Sequence, residues 1–290
     1  MNGTSVLSVM AVIVAGVSLM LFSGCSSVHR QYVSKVKDQF ASQEFRPSEI
    51  LTEDHIASLP QPVRDYIIYS GAIGKPIPQS IRFDFDAKMW KSAKSSAMKC
   101  KSEQYNFFGE PARLFFMKAS MFGVPARVLH AYSNKSASMY VRAAGLFTMV
   151  DVKGEKLSRT ETVTVLNDMC FFTPSALIDE RLRFEQIDEQ KVKVIFHNGP
   201  HVVSAVLIFN EKHQLVNFYS DDRPALGDDG KTFREARWSS PVKDYKEFDG
   251  RMFPTYAEAI YHYPEGDLVY GKFRLRKIEY DPKVVENKTR

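Results

Sequence analysis

Residues 80–90 read SIRFDFDAKMW. Ile81, Phe83, Phe85, Ala87 and Met89 alternate with Arg82, Asp84, Asp86 and Lys88. Successive side chains of a strand point to opposite faces, so a period of two predicts a half-buried antiparallel strand, apolar on one side and solvated on the other. Outward from this strand, further strands are expected at 97–108, 112–119, 125–132 and 137–143, then at 182–187, 191–197, 202–210, 214–220, 232–239, 242–249, 252–263 and 267–280. Turn residues recurring about every 8–12 positions are the pattern of a meander, a sandwich or an open barrel. His201–Phe209 is apolar on both parities and is expected to be a central strand covered on both faces. Asn210–Gln214 predicts a hairpin, and Pro264-Glu265-Gly266-Asp267 a tight turn. The inward parity slips from Phe273 and Leu275 to Ile278 and Tyr280, which predicts a bulge near Arg276.

Helices interrupt this run at two places. Thr52 is a candidate N-cap for a short helix closed by Pro60. A second helix has Pro62 in its first turn, Gly71 past its end, and Val63, Tyr66, Ile67 and Ser70 on one face. In mid-chain, Ser158 with Glu161 reads as a capping box, followed by Val163, Leu166, Met169 and Cys170 on one side and Pro174 as the stop. That stripe is expected to bury itself on the concave face of the sheet. The resulting fold class is mainly β: one large curved antiparallel sheet, or half-barrel, with an N-terminal helix pair and one mid-chain helix packed on it.

Upstream, Val6–Phe22 is apolar apart from two serines and a glycine, and residues 1–24 contain no Asp, Glu, Lys or Arg. Leu21-Phe22-Ser23-Gly24-Cys25 resembles the lipobox of bacterial lipoproteins, in which the cysteine is acylated and becomes the new N-terminus. Phe22 and the uncharged Met1–Ser5 depart from that pattern. The alternative is a retained single-pass anchor, since the apolar run sits at the short end of the ~17–25 residues that span a bilayer. The expected division is a signal peptide or anchor over 1–24, a tether over 25–46, a single β domain over 47–281 and a tail over 282–290. Ser26 after Cys25 resembles outer-membrane retention, so the resemblance implies an outer-membrane lipoprotein facing the periplasm.

Leu59-Pro60-Gln61-Pro62-Val63-Arg64-Asp65-Tyr66, ending at Gly71, resembles the signature LPxPVxxYxxxxG of an uncharacterised bacterial domain family. Trp238–Ala259 and Phe171-Phe172-Thr173-Pro174 extend the resemblance over most of residues 50–281. No activity comes with it. The order of elements is also similar to the half-barrel of periplasmic lipoprotein carriers, which implies lipid binding.

Composition narrows the function classes. A net charge of +5 with 25% charged residues is scattered among acids without a basic, aromatic-interleaved stripe, which argues against nucleic acid as a partner. Cys100 and Cys170 read either as a disulfide or as two small buried thiols. His197 and His201 flank a Gly-Pro turn, and Asp221, Asp222, Asp228 and Asp229 lack the spacing of a calcium loop, so neither set predicts a metal site. There is no GxSxG elbow, P-loop or dinucleotide fingerprint. No catalytic constellation or cofactor is expected. The 21 Phe and 13 Tyr are the more informative set. Phe83, Phe85, Trp90, Phe116, Leu166, Trp238 and Tyr261 are the expected lining of an apolar cavity between sheet and helices, able to take an acyl chain. The rival reading is a filled structural module whose partner is another envelope protein.

Overall fold

The computed structural model describes residues 27–45, 47–121, 123–227 and 229–283. The apolar stretch, the lipobox with Cys25 and Ser26, and the last residues of the tail, 284–290, lie outside them.

The strand begun at Ser80 is the middle of the sheet. As β1 (Ser80–Met89) it pairs on one side with β2 (Met98–Phe107), which leads through β3 (Ala112–Met121), β4 (Val124–Ser133) and β5 (Ser136–Ala143) to the edge strand β6 (Phe147–Lys153). On its other side β1 meets the last strand, β16 (Gly266–Tyr280). From there the sheet continues through β15 (Arg251–Tyr263), β13 (Arg237–Ser239), β10 (Leu215–Ser220), β9 (His201–Phe209) and β8 (Lys191–Asn198) to β7 (Leu182–Gln186). With β14 (Val242–Phe248) hydrogen-bonded to β15, this makes one open antiparallel sheet of 14 strands. A two-stranded ribbon, β11 (Ala225–Leu226) with β12 (Phe233–Arg234), stands apart.

Opposite Asp84 and Phe85 the register jumps from Lys277 to Leu275, leaving Arg276 as the bulged residue. The Asp249-Gly250 turn between β14 and β15 has positive φ at both residues, the backbone that a two-residue hairpin requires. β6 was not expected from the sequence. Its burial alternates only weakly, because as an edge strand it leaves Phe147 and Met149 in solvent. β9 differs too. Its burial alternates strictly and Val202 is exposed, so it is covered on one face only.

Residues 27–42 form helix α1. Val28, Tyr32 and Val36 recur every fourth position and are buried against Tyr105, Phe107, Leu114 and Phe116 on the outer face of the sheet. Burying Val28 and Val36 contributes about 3 kcal/mol or more. Within the segment expected as a tether over 25–46, residues 27–42 are therefore a docked helix, because this stripe has an apolar sheet face to cover.

α2 (Glu53–Ile56) and α3 (Gln61–Tyr69) are the expected pair. Gly71 closes α3 at φ +66, and a Cβ there would stand 2.4 Å from the carbonyl oxygen of Gly250. Tyr66 donates its hydroxyl to the Cys170 carbonyl at 2.9 Å. The signature residues thus lock helices to one another and to the β14–β15 turn.

The mid-chain helix α4 (Glu155–Phe172) lies across the concave face, touching β4, β5 and β6 on one side and β9, β10 and β15 on the other. It starts three residues before the expected capping box, with Gly154 as N-cap. Ser158 sits inside the helix, donating to the Gly154 carbonyl and accepting from the amide of Ala137. Glu161 is not a cap. It is 1% exposed and faces the sheet.

Candidate functional site

Along α4, Glu161, Thr164 and Asp168 fall at i, i+3 and i+7, so one face of a buried helix carries two carboxylates. They meet side chains from the inner parity of the strands. Arg113 of β3 donates from Nε to Asp168 at 3.0 Å, from one terminal nitrogen to Glu161 at 3.1 Å and from the other to Gln104 at 2.9 Å. Gln104 and Asn106 of β2 donate their amides to the same Asp168 oxygen at 2.7 and 3.0 Å. His130 of β4 places Nε2 3.5 Å from the other Glu161 oxygen. Thr164 donates to Glu161 and accepts from Arg223, a loop residue. With His130 neutral, two arginines balance two carboxylates.

Burial alone would raise Glu161, but His130, Arg113 and Arg223 outweigh it and hold the carboxyl below its ordinary range. Burial wins at Asp168, which is raised despite Arg113 and the two amides. Burial also pushes His130 down to about 4, against the pull of Glu161. The Nε2 of His130 is buried without a hydrogen bond, and a buried ion network of this kind fixes one position for a helix more than it adds stability, since desolvation consumes most of the Coulombic gain.

Arg223 belongs to the segment between β10 and β13, which carries the β11–β12 ribbon. Gly230 reaches Val150 of β6, and Leu226 and Phe233 pack on the core. The acids of this loop are engaged locally. Asp221 pairs with Arg237, Asp222 with Arg159 and the Ser204 amide, and Asp229 accepts the amides of Lys231 and Thr232. Asp228 lies outside the described residues. Among the described residues no group of three or more His, Cys, Asp or Glu is placed to hold a metal ion, and His201 bonds the Lys135 carbonyl.

The expected cavity residues divide. Phe83, Phe85, Leu166, Trp238 and Tyr261 share the core around α4. Phe172 at the end of α4 fills the space beside Phe83 and Phe85, with ring centroids 4.9 and 5.8 Å apart. The Arg223 guanidinium stacks over Trp238 at 4.5 Å and Tyr261 at 5.7 Å. Phe116 is on the opposite face of the sheet, under Tyr32 of α1. Trp90 stands at the end of β1, half-buried, its ring 5.9 Å from Lys272. Two surface clefts, of about 500 and 360 Å³, are lined by Lys153–Leu157 with Lys231–Phe233, and by Gln61, Pro62 and Asp65 with residues of the β7–β8 and β9–β10 turns. Neither touches any of those seven residues.

The polar network was legible only as an anomaly. Gln104, Asn106 and Arg113 occupy the parity that elsewhere on β2 and β3 carries Cys100, Phe115, Met117 and Ala119, and a charged or amide residue on an apolar parity must find a buried partner. Beyond that network the same inner parity turns apolar. Ala87, Cys100, Met117, Ala119 and Val128 form a floor flanked by half-buried Met89, Met98, Phe115, Met139, Val141 and Phe273. α4 crosses the opposite end of these strands, at Phe83, Asn106, Tyr132 and Ala137. The floor therefore lies between the helix and the rim formed by the β1–β2, β3–β4 and β5–β6 turns. Cys100 and Cys170 are both free thiols and belong to separate clusters, which settles them as buried thiols rather than a disulfide.

Among solved structures, the chain is similar to a LolA-superfamily protein from Nitrosomonas europaea, at 9% identity over 76% of this chain and 94% of that one, with a TM-score of 0.42. It is also similar to a DUF1329 family protein from Desulfovibrio piger, at 11% identity over 76% and 92%, with a TM-score of 0.43. No curated protein matches. In sequence, residues 49–273 match the family of unknown function DUF6544, so the chain belongs to that family.

Proposed function

We propose that this is an envelope protein acylated at Cys25, held at the outer membrane facing the periplasm, that shelters an acyl or other lipid-like ligand on the inner face of β1–β5. The observation that carries the reading is the methionine-rich floor. Its floor residues are apolar and buried, its flanking methionines are half-buried, and α4 lies at the other end of the strands. Four methionines around small residues make a surface that adapts to an irregular aliphatic chain. The polar network then serves as a stop: Arg113 ties α4 to the far end of the strands and leaves the rim end open.

A second reading, an interaction module without ligand, is favoured by a different observation. α4 and Phe172 fill the concave face where a cavity was expected. Displacement of a fluorescent fatty acid from residues 26–290 separates the two. Saturable displacement, weakened at least ten-fold by Met139→Glu, supports the carrier. Absence of saturable binding rejects it and leaves the module.

A further inference from the structure

We propose that the outer face of β2–β5 beside this rim is a docking surface for an anionic bilayer. The strand registers place Lys101 opposite Lys118, Lys118 opposite Arg127, and Arg127 opposite Arg142. Four cations thus stand in one cross-strand row about 14 Å wide. Lys88 and Lys99, directly opposed, form the next row toward the rim. Lys88, Lys99, Lys101 and Lys118 are exposed. Asp86, which the register places opposite Lys101 at the end of this row, pairs with Arg276, and Glu103 pairs with Arg82. Like charges directly opposite one another on neighbouring strands destabilise a sheet, so this array fits a planar anionic partner better than solvent alone.

Apolar side chains stand at the rim end of these strands. Val124 on the β3–β4 hairpin, and Leu146, Phe147 and Met149 on the β5–β6 hairpin, are 44%, 44%, 64% and 61% exposed. The two hairpins are joined by a bond from the Ala144 amide to the Pro125 carbonyl at 2.8 Å. A cationic face edged by exposed Val, Leu, Phe and Met is what the headgroup and acyl boundary of a membrane binds. The chain itself says which partner is near. Arg142 donates to the Ser27 hydroxyl at 3.4 Å, and Ser27 is two residues from Cys25. Because α1 is packed on the sheet, an anchor at Cys25 delivers this corner to the bilayer.

The inference rests on the membrane attachment proposed above, and the test keeps the two apart. Full-length protein carrying Phe147→Trp is reconstituted in vesicles of brominated phosphatidylcholine, alone or with a quarter phosphatidylglycerol. Sedimentation with the vesicles reports attachment, and quenching of the added tryptophan reports contact of the rim. The expected result is sedimentation with both kinds of vesicle, with quenching that is stronger on anionic ones and reversed by high salt. Each cation removed should weaken the contact about five-fold. The variant K101Q/K118Q/R127Q should therefore lose quenching while still sedimenting, its near-UV circular dichroism unchanged. Sedimentation without quenching, or equal quenching in the triple variant and in high salt, overturns the docking surface and leaves the anchor standing. Sedimentation with anionic vesicles only, abolished in the triple variant, supports the docking surface and rejects the anchor. No sedimentation with either rejects both.

Discussion

Replacing Arg113 with alanine should cost far more than its single position suggests. The guanidinium makes three bonds, to Asp168, Glu161 and Gln104, and is 10% exposed, as is Asp168, while Glu161 is 1% exposed. Its removal leaves two carboxylates in the interior. Glu161 keeps His130 and Arg223 as neighbours, and Asp168 keeps the amides of Gln104 and Asn106. Asp168, already raised by burial, takes up a proton and trims the penalty. Breaking a buried pair from one side costs about 3–5 kcal/mol, and the low end of that range applies here. For a domain of this size about 1 kcal/mol moves the melting temperature by about 2–4 °C, so R113A should melt roughly 10 °C below the parent. The double variant R113A/D168N leaves Glu161 balanced by the buried Arg223 and carries no bare charge, so it should recover more than half of the loss, a non-additivity expected only of a coupled network. Thermal unfolding followed by circular dichroism reads both. A drop under about 2 °C for R113A, or a double variant less stable than R113A, refutes the account of α4 as held by an ion lock.

Other consequences are independent of that one. His130 is pushed from 6.5 to about 4 in the folded protein, so its contribution to stability is complete above pH 6.5 and is lost as pH falls from there to 4; about 3 kcal/mol should vanish over that window, and His130→Asn should flatten the corresponding part of the melting curve against pH. Gly71→Ala should cost about 1–3 kcal/mol from backbone strain alone, with the approach to the Gly250 carbonyl adding to it, read as a fall in melting temperature. Burial raises Cys170 and lifts Cys100 to about 11, so neither thiol should alkylate in the native protein at neutral pH and both should react once it is unfolded. Mass spectrometry of the mature protein should find Cys25 acylated at the N-terminus; an intact Met1 or an unmodified Cys25 ends the lipoprotein reading.

The alternation in Ser80–Trp90 was enough to locate the central strand, and the same period located most of the others. Strands with one solvated face write their orientation into the sequence. The parity slip at Arg276 was legible for the same reason. Local patterns failed where a position answers to a distant partner. Glu161 sits three residues after a serine and so mimics a cap, yet it belongs to Arg113, on a strand 48 residues away. Val28, Tyr32 and Val36 stand in a polar stretch that reads as tether, and only the apolar outer face of β2–β4 turns them into a helix stripe.

What the chain's own order of residues determined is therefore the antiparallel sheet, its turns, and the helix assigned to the concave side, because these follow from side-chain periodicity and backbone stereochemistry within a few residues. Only the folded sheet decided which aromatics are core, on which face each of them lies, and that four cations from β2, β3, β4 and β5 line up. Cross-strand register brings together residues that no local pattern relates, and a charge or a phenyl ring has a function only once its neighbours on the adjacent strands are known.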